Sequence, residues 1–578
     1  MSKQHCSTDW EPATRDRGDT ERVLNRAKRP ISPGSFAITV AAASLLLLGG
    51  CGIKDESADA QEALVRTSPD ITSAPALIRQ LQAGEITSET VVSFYLQRIA
   101  SIDRSGPSIQ SIISINPKAS IDAKASDARR QQGLSLGPLD GVPILVKDNI
   151  ETADMMPTTA GSLALKDNLA TQDSPVVARL REGGAIVLGK TNLSQWANFR
   201  SNSSISGWSS LGGQVKNPHV LDRSPCGSSS GSAAAVAASL APLAIGTETN
   251  GSIICPANVN GVVGFKPTLG LLPQTGIVPI APSQDTAGPL AKTVAGAALM
   301  LAVMAGDADG FKLTEPTSTT NLRGVTIGAL RFAQGNHPQI LALFENALSI
   351  FARAGATIVD IESFSPTDEN LGEHELKVLQ VEFKASLNDY LAKTHPAVTT
   401  RTLDELIVFN EQHKQYELPL FGQDLFHASA GQPGLDDHNY LTALATIKKA
   451  SGEDGIDKLL ADSGADFLVS PSGPLSPPRD AINGDIWPAW VGIGYLAAIA
   501  GYPHLSIPMG HVNHIPVGLS ILGPAYSDRR ILAIGEQWQK EFGPAPTPTF
   551  LESVNQAPAV TQANLPLSVL SFPNPNHH

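Results

Sequence analysis

Cys226-Gly227-Ser228-Ser229-Ser230-Gly231-Ser232 opens a small-residue run at 233–240, and an apolar run at 243–246 then leads into a second loop, Thr249-Asn250-Gly251-Ser252. A glycine- and serine-rich loop, a helix, a short strand and another such loop in that order are the grammar of an α/β sheet. The pattern extends upstream: residues 176–182 have helical spacing and residues 185–188 read as a buried strand. Before them, Gly137-Pro138-Leu139-Asp140-Gly141 is a turn that launches the apolar run 142–146, and Lys147 sits where that run ends. Near the start of the body a short helical piece at 76–81 is punctuated by Gly84. Thr87 or Ser88 then caps a helix whose Val92, Leu96 and Ile99 share one face. A strand at 112–115 and a helix at 119–130 follow.

Downstream, residues 311–478 carry more helix and longer polar linkers and are expected to cap one side of the sheet. Strands at 505–508 and 517–522 return the chain to the core before a helix at 529–539. Periodicity supports α/β but does not order the strands, and no repeated unit is present.

The chain of 578 residues is globular in composition, 42% hydrophobic and 17% charged, and its 50 glycines and 42 prolines imply many turns. A net charge of -13 without a basic stripe argues against a polyanionic partner such as nucleic acid. Arg26, Lys28 and Arg29 precede an apolar run at 36–48 that ends in Leu48-Gly49-Gly50-Cys51. That order is an export signal, and Lys54, Asp55 and Glu56 follow too soon for a spanning helix. The tetrapeptide ending at Cys51 resembles a bacterial lipobox, which implies lipidation of Cys51; an ordinary cleaved signal is the alternative. Residues 1–25 are long for a signal's charged region, which points to a translation start downstream of Met1. The expected organisation is an export signal at 1–50, a flexible tether at 51–72, a catalytic domain at 73–544 and a Pro/Asn-rich tail at 545–578. The mature chain would stay on the periplasmic side of a bacterial membrane, the outer membrane favoured by Gly52 after Cys51, with a soluble periplasmic form as the alternative. Beyond that signal only Cys226 and Cys255 remain, and spacing does not decide whether they pair.

A lone serine in a glycine-rich turn is ordinarily a turn residue. Here the two serine loops stand in order with Gly141-Val142-Pro143 before Lys147, Gly189-Lys190-Thr191-Asn192, Gly264-Phe265-Lys266-Pro267-Thr268, Asp285-Thr286-Ala287-Gly288-Pro289 and Val517-Gly518-Leu519. In that order they resemble the amidase signature family over residues 73–544. The resemblance implies a central mixed twisted sheet covered by helices on both faces, and no cofactor or metal. It implies that Ser252 is the nucleophile, Ser228 the bridging acid/base behind a cis peptide bond, and Lys147 the general base. The backbone N–H groups of Thr249, Asn250, Gly251 and Ser252 would form the oxyanion hole, with glycine at 251 allowing close approach. The assignment is chemically coherent. A hydroxyl is inert until its proton is removed, and a lysine can remove it only where burial favours the neutral amine.

Asn250 replaces a glycine of the commonest family pattern, Ile254 an arginine, and Cys226 and Ser230 two glycines. With Ser206-Gly207-Trp208-Ser209 and Ser224-Pro225-Cys226-Gly227, these changes resemble the bacterial peptide amidase branch, which removes the C-terminal amide of peptides. Missing arginine and the export signal argue against a transamidating subunit. Asp285, the only charged residue between Pro282 and Pro289, needs partners if buried and is expected, with Ser229, to support the active-site loops. Trp196, Phe199, Trp208 and Trp487 are candidate walls of a substrate cleft. Gly184-Ala185-Ile186-Val187-Leu188-Gly189-Lys190-Thr191 matches a phosphate-binding loop on paper, but its middle is itself an apolar strand, so the match is rejected. His413, His427 and His438 are too scattered for a metal site. The expected function is hydrolysis of linear amides, C-terminal peptide amides above others, without an obligate protein partner. A broad amidase or esterase and a non-catalytic binding lipoprotein are the alternatives.

Overall fold

Five consecutive buried residues, Pro143–Lys147, form a strand with no solvent face, and such a strand belongs inside a sheet covered on both sides. The computed structural model describes residues 69–70, 72–306 and 321–556, all within the unit Ala60–His578. Its strands are β1 (Ile112–Ile115), β2 (Pro143–Lys147), β3 (Ile186–Thr191), β4 (Trp208–Ser209), β5 (Gly213–Gln214), β6 (Leu243–Glu248) and β7 (Val263–Lys266). They continue with β8 (Thr286–Ala291), β9 (Thr326–Leu330), β10 (Thr357–Ile361), β11 (Phe467–Pro471), β12 (His504–Val512) and β13 (Ile515–Leu522). β4 and β5 pair with each other, and the other 11 form one sheet in the order β1-β3-β2-β6-β8-β7-β12-β13-β11-β9-β10. β2 runs parallel to β3 and β6, and β9 to β10 and β11. The remaining pairings are antiparallel. The mixed sheet with helices on both sides is the fold expected from the sequence.

Local chemistry accounts for the element boundaries. Thr87 caps the helix Ser88–Arg98 by accepting from the Thr90 N–H at 3.1 Å, settling the choice between Thr87 and Ser88. The β12–β13 hairpin turns through Asn513 and His514, both left-handed at φ 47° and 69°, as a two-residue hairpin turn requires. Ile507, Leu519 and Ile521 are fully buried in that hairpin, each contributing roughly 1.5–3 kcal/mol through burial.

The segment 311–478 departs from its reading. Besides helices such as Pro338–Arg353, Leu371–Ala392 and His438–Ser451, it supplies β9, β10 and β11 to the sheet itself. β9, the helix Pro338–Arg353 and β10 form a parallel crossover unit. Helices Leu371–Ala392 and His438–Ser451 pack on each other over satellite apolar clusters separate from the main core. The start of the tail is also ordered against the body: Leu221 N–H donates to the Leu551 carbonyl at 2.7 Å and Phe550 N–H to Pro218 at 3.0 Å. The export signal, Cys51 and most of the tether lie outside the described residues, as does the tail beyond 556. No helix among the described residues is long and apolar enough to cross a membrane.

Candidate active site

β2 and β6 run parallel side by side, so their C-terminal ends open toward the same edge of the sheet. Lys147 is the last residue of β2, and β6 runs directly into the loop Thr249-Asn250-Gly251-Ser252. The third segment, Gly227-Ser228-Ser229, lies just before the helix Ser230–Ala237, a buried run of Ser, Gly, Ala and Val that can approach the sheet closely. Gly231 is required there, because a Cβ would stand 2.3 Å from the carbonyl oxygens of Asn192 and Ser111. The Ser229 N–H donates to the Ser252 carbonyl at 3.1 Å, joining the two serine loops. The Gly227–Ser228 peptide is cis, as the resemblance implies.

Lys147 is fully buried, and its neighbours are hydroxyls and a carbonyl rather than a carboxylate. Nζ lies 2.8 Å from Ser228 Oγ, 3.0 Å from Ser229 Oγ, 2.8 Å from Thr247 Oγ1 and 3.3 Å from the Thr247 carbonyl. Burial pulls its pKa from 10.5 down to about 7, against the weaker opposing pull of Asp285 and Glu248. That displacement disfavours the ammonium relative to the amine by roughly 5 kcal/mol, enough to leave a large neutral fraction at neutral pH. Proton directions then separate the two serines. The Ser229 hydroxyl donates to the Thr247 carbonyl at 3.0 Å and accepts from the Thr247 N–H, so its proton is committed. Ser228 Oγ has Lys147 as its hydrogen-bond partner among the described residues, and its hydroxyl is free to give or take a proton.

The Thr249–Ser252 loop is fixed from several sides. Glu248 accepts from the N–H groups of Ile253 at 2.7 Å and Ile254 at 3.0 Å, just beyond the loop. Among the described residues the N–H groups of 249–252 donate to no protein acceptor and remain available to an oxygen placed there. Gly251 has φ +83°, but a Cβ on it would meet nothing within 4 Å. The left-handed backbone itself calls for glycine here, and no protein atom crowds the position. Asp285 supports the loop as expected, accepting the Thr249 hydroxyl at 2.5 Å and the N–H groups of Ile280 and Ala281 at 2.8 and 3.0 Å. Burial raises its carboxyl to about 6, partly offset by these donors. Asn250 donates to Glu375 at 2.8 Å and so ties the loop to the helix Leu371–Ala392.

Space lies on both sides of this loop. Thr249, Asn149, Thr247 and Asp285 line a pocket of ≈ 30 Å³. Asn250, Gly251, Ile254, Ser206, Gly227 and Trp487 help line a cleft of ≈ 370 Å³. Of the four aromatic residues expected in the cleft, Trp487 is there, against Trp490 at 5.8 Å. The other three are corrected. Trp196 and Phe199 pack edge-on against Phe426 and Phe383, and Trp208 against Phe421, beneath the helical layer where their area is removed from water. Trp196 still serves the site indirectly. It anchors Trp196-Ala197-Asn198, three successive left-handed residues at φ 51°, 53° and 72°, which carry Ala197 to the small pocket and Asn198 to the cleft.

Cys226 and Cys255 form a disulfide on the wall of the cleft, a question the sequence left open. Thr247, Glu248 and Asn149 were missed as site residues although they stand within two residues of Lys147 or of the Thr249–Ser252 loop. Trp490 and Asp485, which also line the cleft, carry no such signal. His504 reaches the cleft too, but burial lowers its pKa to about 3 and it bonds to Ser520 at 2.6 Å, so it is a neutral packing residue. The phosphate-loop match falls on buried β3, as the apolar run implied. Among the described residues no group of three or more His, Cys, Asp or Glu is arranged to hold a metal ion.

Comparison with known proteins places these features in context. The Amidase family model matches residues 90–532. The native peptide amidase of Stenotrophomonas maltophilia superposes with a TM-score of 0.77 at 43% identity, covering 83% of this chain and 98% of that one. A peptide amidase structure with the competitive inhibitor chymostatin gives 0.77 at 44% identity with the same coverage. A probable amidase of Arabidopsis thaliana is 34% identical over 494 residues, 81% of this chain and 90% of that protein.

Proposed function

The chain belongs to the amidase family and is an amide hydrolase, and from that premise we propose that it removes the C-terminal amide of peptides through a Ser252–Ser228–Lys147 relay. The observation that carries the mechanism is a fully buried Lys147 whose Nζ stands 2.8 Å from Ser228 Oγ with no carboxylate bonded to it. Neutral Lys147 takes the Ser228 proton while Ser228 takes that of Ser252, and Ser252 Oγ attacks the amide carbon. Negative charge developing on the carbonyl oxygen is met by the N–H groups of the 249–252 loop, worth about 3 kcal/mol per well-aimed donor. The relay then runs backward: Lys147 returns its proton through Ser228 to the leaving nitrogen, which departs as ammonia rather than as an amide anion. A water molecule repeats the sequence on the acyl-enzyme, leaving a carboxylic acid and restoring Ser252.

Support for a peptide amide comes from the likeness to peptide amidases and from Ser206, Cys226 and Gly227 of the two peptide-amidase-like segments, all lining the 370 Å³ cleft with Ile254. Internal and terminal amides share their intrinsic reactivity, so selectivity must come from the shape of the leaving-group side. The test is mass spectrometry of one peptide supplied in amidated and free-acid forms, with Ser252→Ala as control. A gain of about one dalton on the amidated form alone, with equimolar ammonia and intact internal bonds, is the expected result. Internal fragments, or rapid turnover of small amides or esters beside an untouched peptide, would assign a broad amidase or esterase. Turnover surviving in Ser252→Ala would remove the nucleophile assignment, and no turnover of any amide would favour a binding protein.

A further inference from the structure

We propose that the Cys226–Cys255 disulfide is a positioning element of this enzyme, a covalent strut that sets the distance between the loop carrying Ser228 and the loop carrying Ser252. The proposal rests on the reading of those serines as the reacting pair. Cys226 stands just before Gly227-Ser228, and Cys255 stands just after Ser252-Ile253-Ile254, so the bond closes a short bracket around both serines. Other ties between the loops are weaker: the Ser229 N–H to the Ser252 carbonyl at 3.1 Å, and Asn260 Nδ2 to the Pro225 carbonyl at 2.8 Å.

The backbone at Cys226 strengthens the case. Its φ of 52° lies in the left-handed region, which glycine adopts without cost and other L-residues adopt rarely. A cysteine held there at a conformational cost must supply something glycine cannot, and the Sγ bond to Cys255 is that contribution. Two further contacts hold the same residue: its N–H donates to Ser224 Oγ at 3.2 Å, and its carbonyl accepts the Ser230 hydroxyl. Both half-cystines pack against Val259 and Trp487, so the strut also backs the cleft wall. Proton relay between two hydroxyls is steep in distance, and a misplacement of about 1 Å can cost roughly 10²-fold in rate.

The decisive variant is Cys226→Gly with Cys255→Ala. It suits the left-handed backbone and removes the strut, so a loss of function cannot be blamed on strain at 226. We expect kcat to fall about 10- to 100-fold with KM changed less than about threefold. Cys226→Ser with Cys255→Ser, which nearly keeps the size of both side chains but breaks the bond, should be impaired at least as much. Hydrogen–deuterium exchange should quicken in residues 226–232 and 249–255 of both variants while the strands β12 and β13 keep their protection. A kcat within twofold of wild type in the folded Gly/Ala variant would overturn the proposal. Unchanged exchange in both segments would overturn it as well. If the wild type hydrolyses no amide, the functional reading fails on its own, and the exchange measurement still decides whether the bond holds the loops.

Discussion

Two fully buried lysines stand on neighbouring parallel strands, Lys147 at the end of β2 and Lys190 beside it on β3, yet their surroundings differ in one respect. Lys190 Nζ lies 3.5 Å from the equally buried Asp148 carboxylate and donates to Thr158 Oγ1 at 2.9 Å. Burial disfavours both charges of that pair, and each partner opposes the effect on the other. Lys147 has the burial without the adjacent anion. Lys190, paired with a carboxylate, is a structural cation, whereas Lys147, set among hydroxyls that include Ser228, is a candidate base. The comparison also explains why the phosphate-loop lysine was a decoy: Lys190 is already bound to a carboxylate.

The largest effect should come from deleting each amine in turn. Lys147→Met should lower kcat by about 10²- to 10⁴-fold, the range of lost acid–base assistance, while unfolding stability changes by less than about 2 kcal/mol. Lys190→Met should do the reverse in kind. It strands Asp148 in the core and should destabilise the fold by about 3–5 kcal/mol. Denaturant titrations beside single-substrate kinetics check both. A Lys147→Met enzyme that unfolds as readily as Lys190→Met would erase the distinction.

How much of this contrast was legible depends on whether the signal is local. Lys147, Ser228 and Ser252 were singled out by the ordered motifs that resemble the amidase signature family, since a serine in a glycine-rich turn is by itself only a turn residue. Strands β2, β6 and β13 were read from unbroken apolar runs almost to their ends. β8 was not read as a strand, since Pro289 and Gly288 argue against a central position; yet Pro289 sits opposite Ile245 inside the sheet. β9, β10 and β11 were hidden for a related reason. Five-residue runs scattered among helices gain their meaning only from long-range pairing. The aromatic residues fail differently: Trp196 and Trp487 are the same chemistry in sequence, and only the helical layer over the first decides which is core. The disulfide needed Cα atoms 5.9 Å apart, which a separation of 29 residues does not disclose.

A smaller effect should follow from giving Lys147 the counterion that Lys190 has. Thr247 Oγ1 is 2.8 Å from Nζ, and Thr247→Asp would place a carboxylate within reach at little change in volume. At an effective dielectric near 20, an anion about 4 Å away favours the ammonium by roughly 4 kcal/mol. Wild-type kcat/KM should rise with pH through about 7 as Lys147 loses its proton. In Thr247→Asp that limb should move upward by about three pH units, with kcat/KM about 10²- to 10³-fold lower at pH 7 and recovering in alkali. Thr247→Asn, neutral and similar in shape, should keep the limb near its original place. A limb unmoved in the aspartate variant would mean that Lys147 is not the group titrating.

The smallest effect probes the carboxylate that acts on Lys147 from a distance. Asp285 holds Thr249 and, through its charge, slightly favours the Lys147 ammonium. Its own folded pKa of about 6 exceeds the ordinary 3.8, so between those values the folded chain binds the proton more tightly than the unfolded chain does. Stability from this group is therefore greatest below about 3.8 and declines as pH rises to about 6; above that the ionised, buried carboxylate is a standing cost. Asp285→Asn removes the charge and keeps an acceptor for the N–H groups of Ile280 and Ala281, while Thr249 can turn its hydroxyl to accept from the new amide. Unfolding free energy at pH 7.5 should then be no lower than in wild type, and its change between pH 4 and 6 should flatten. The kcat/KM limb should move below 7 by less than about one pH unit, because one of the two anions favouring the Lys147 ammonium is gone. Turnover should fall about threefold to tenfold from the looser grip on Thr249. An upward movement of the limb would contradict the assigned electrostatics. A large loss of stability at pH 7.5 would show that Asp285 supports the fold through its charge rather than in spite of it.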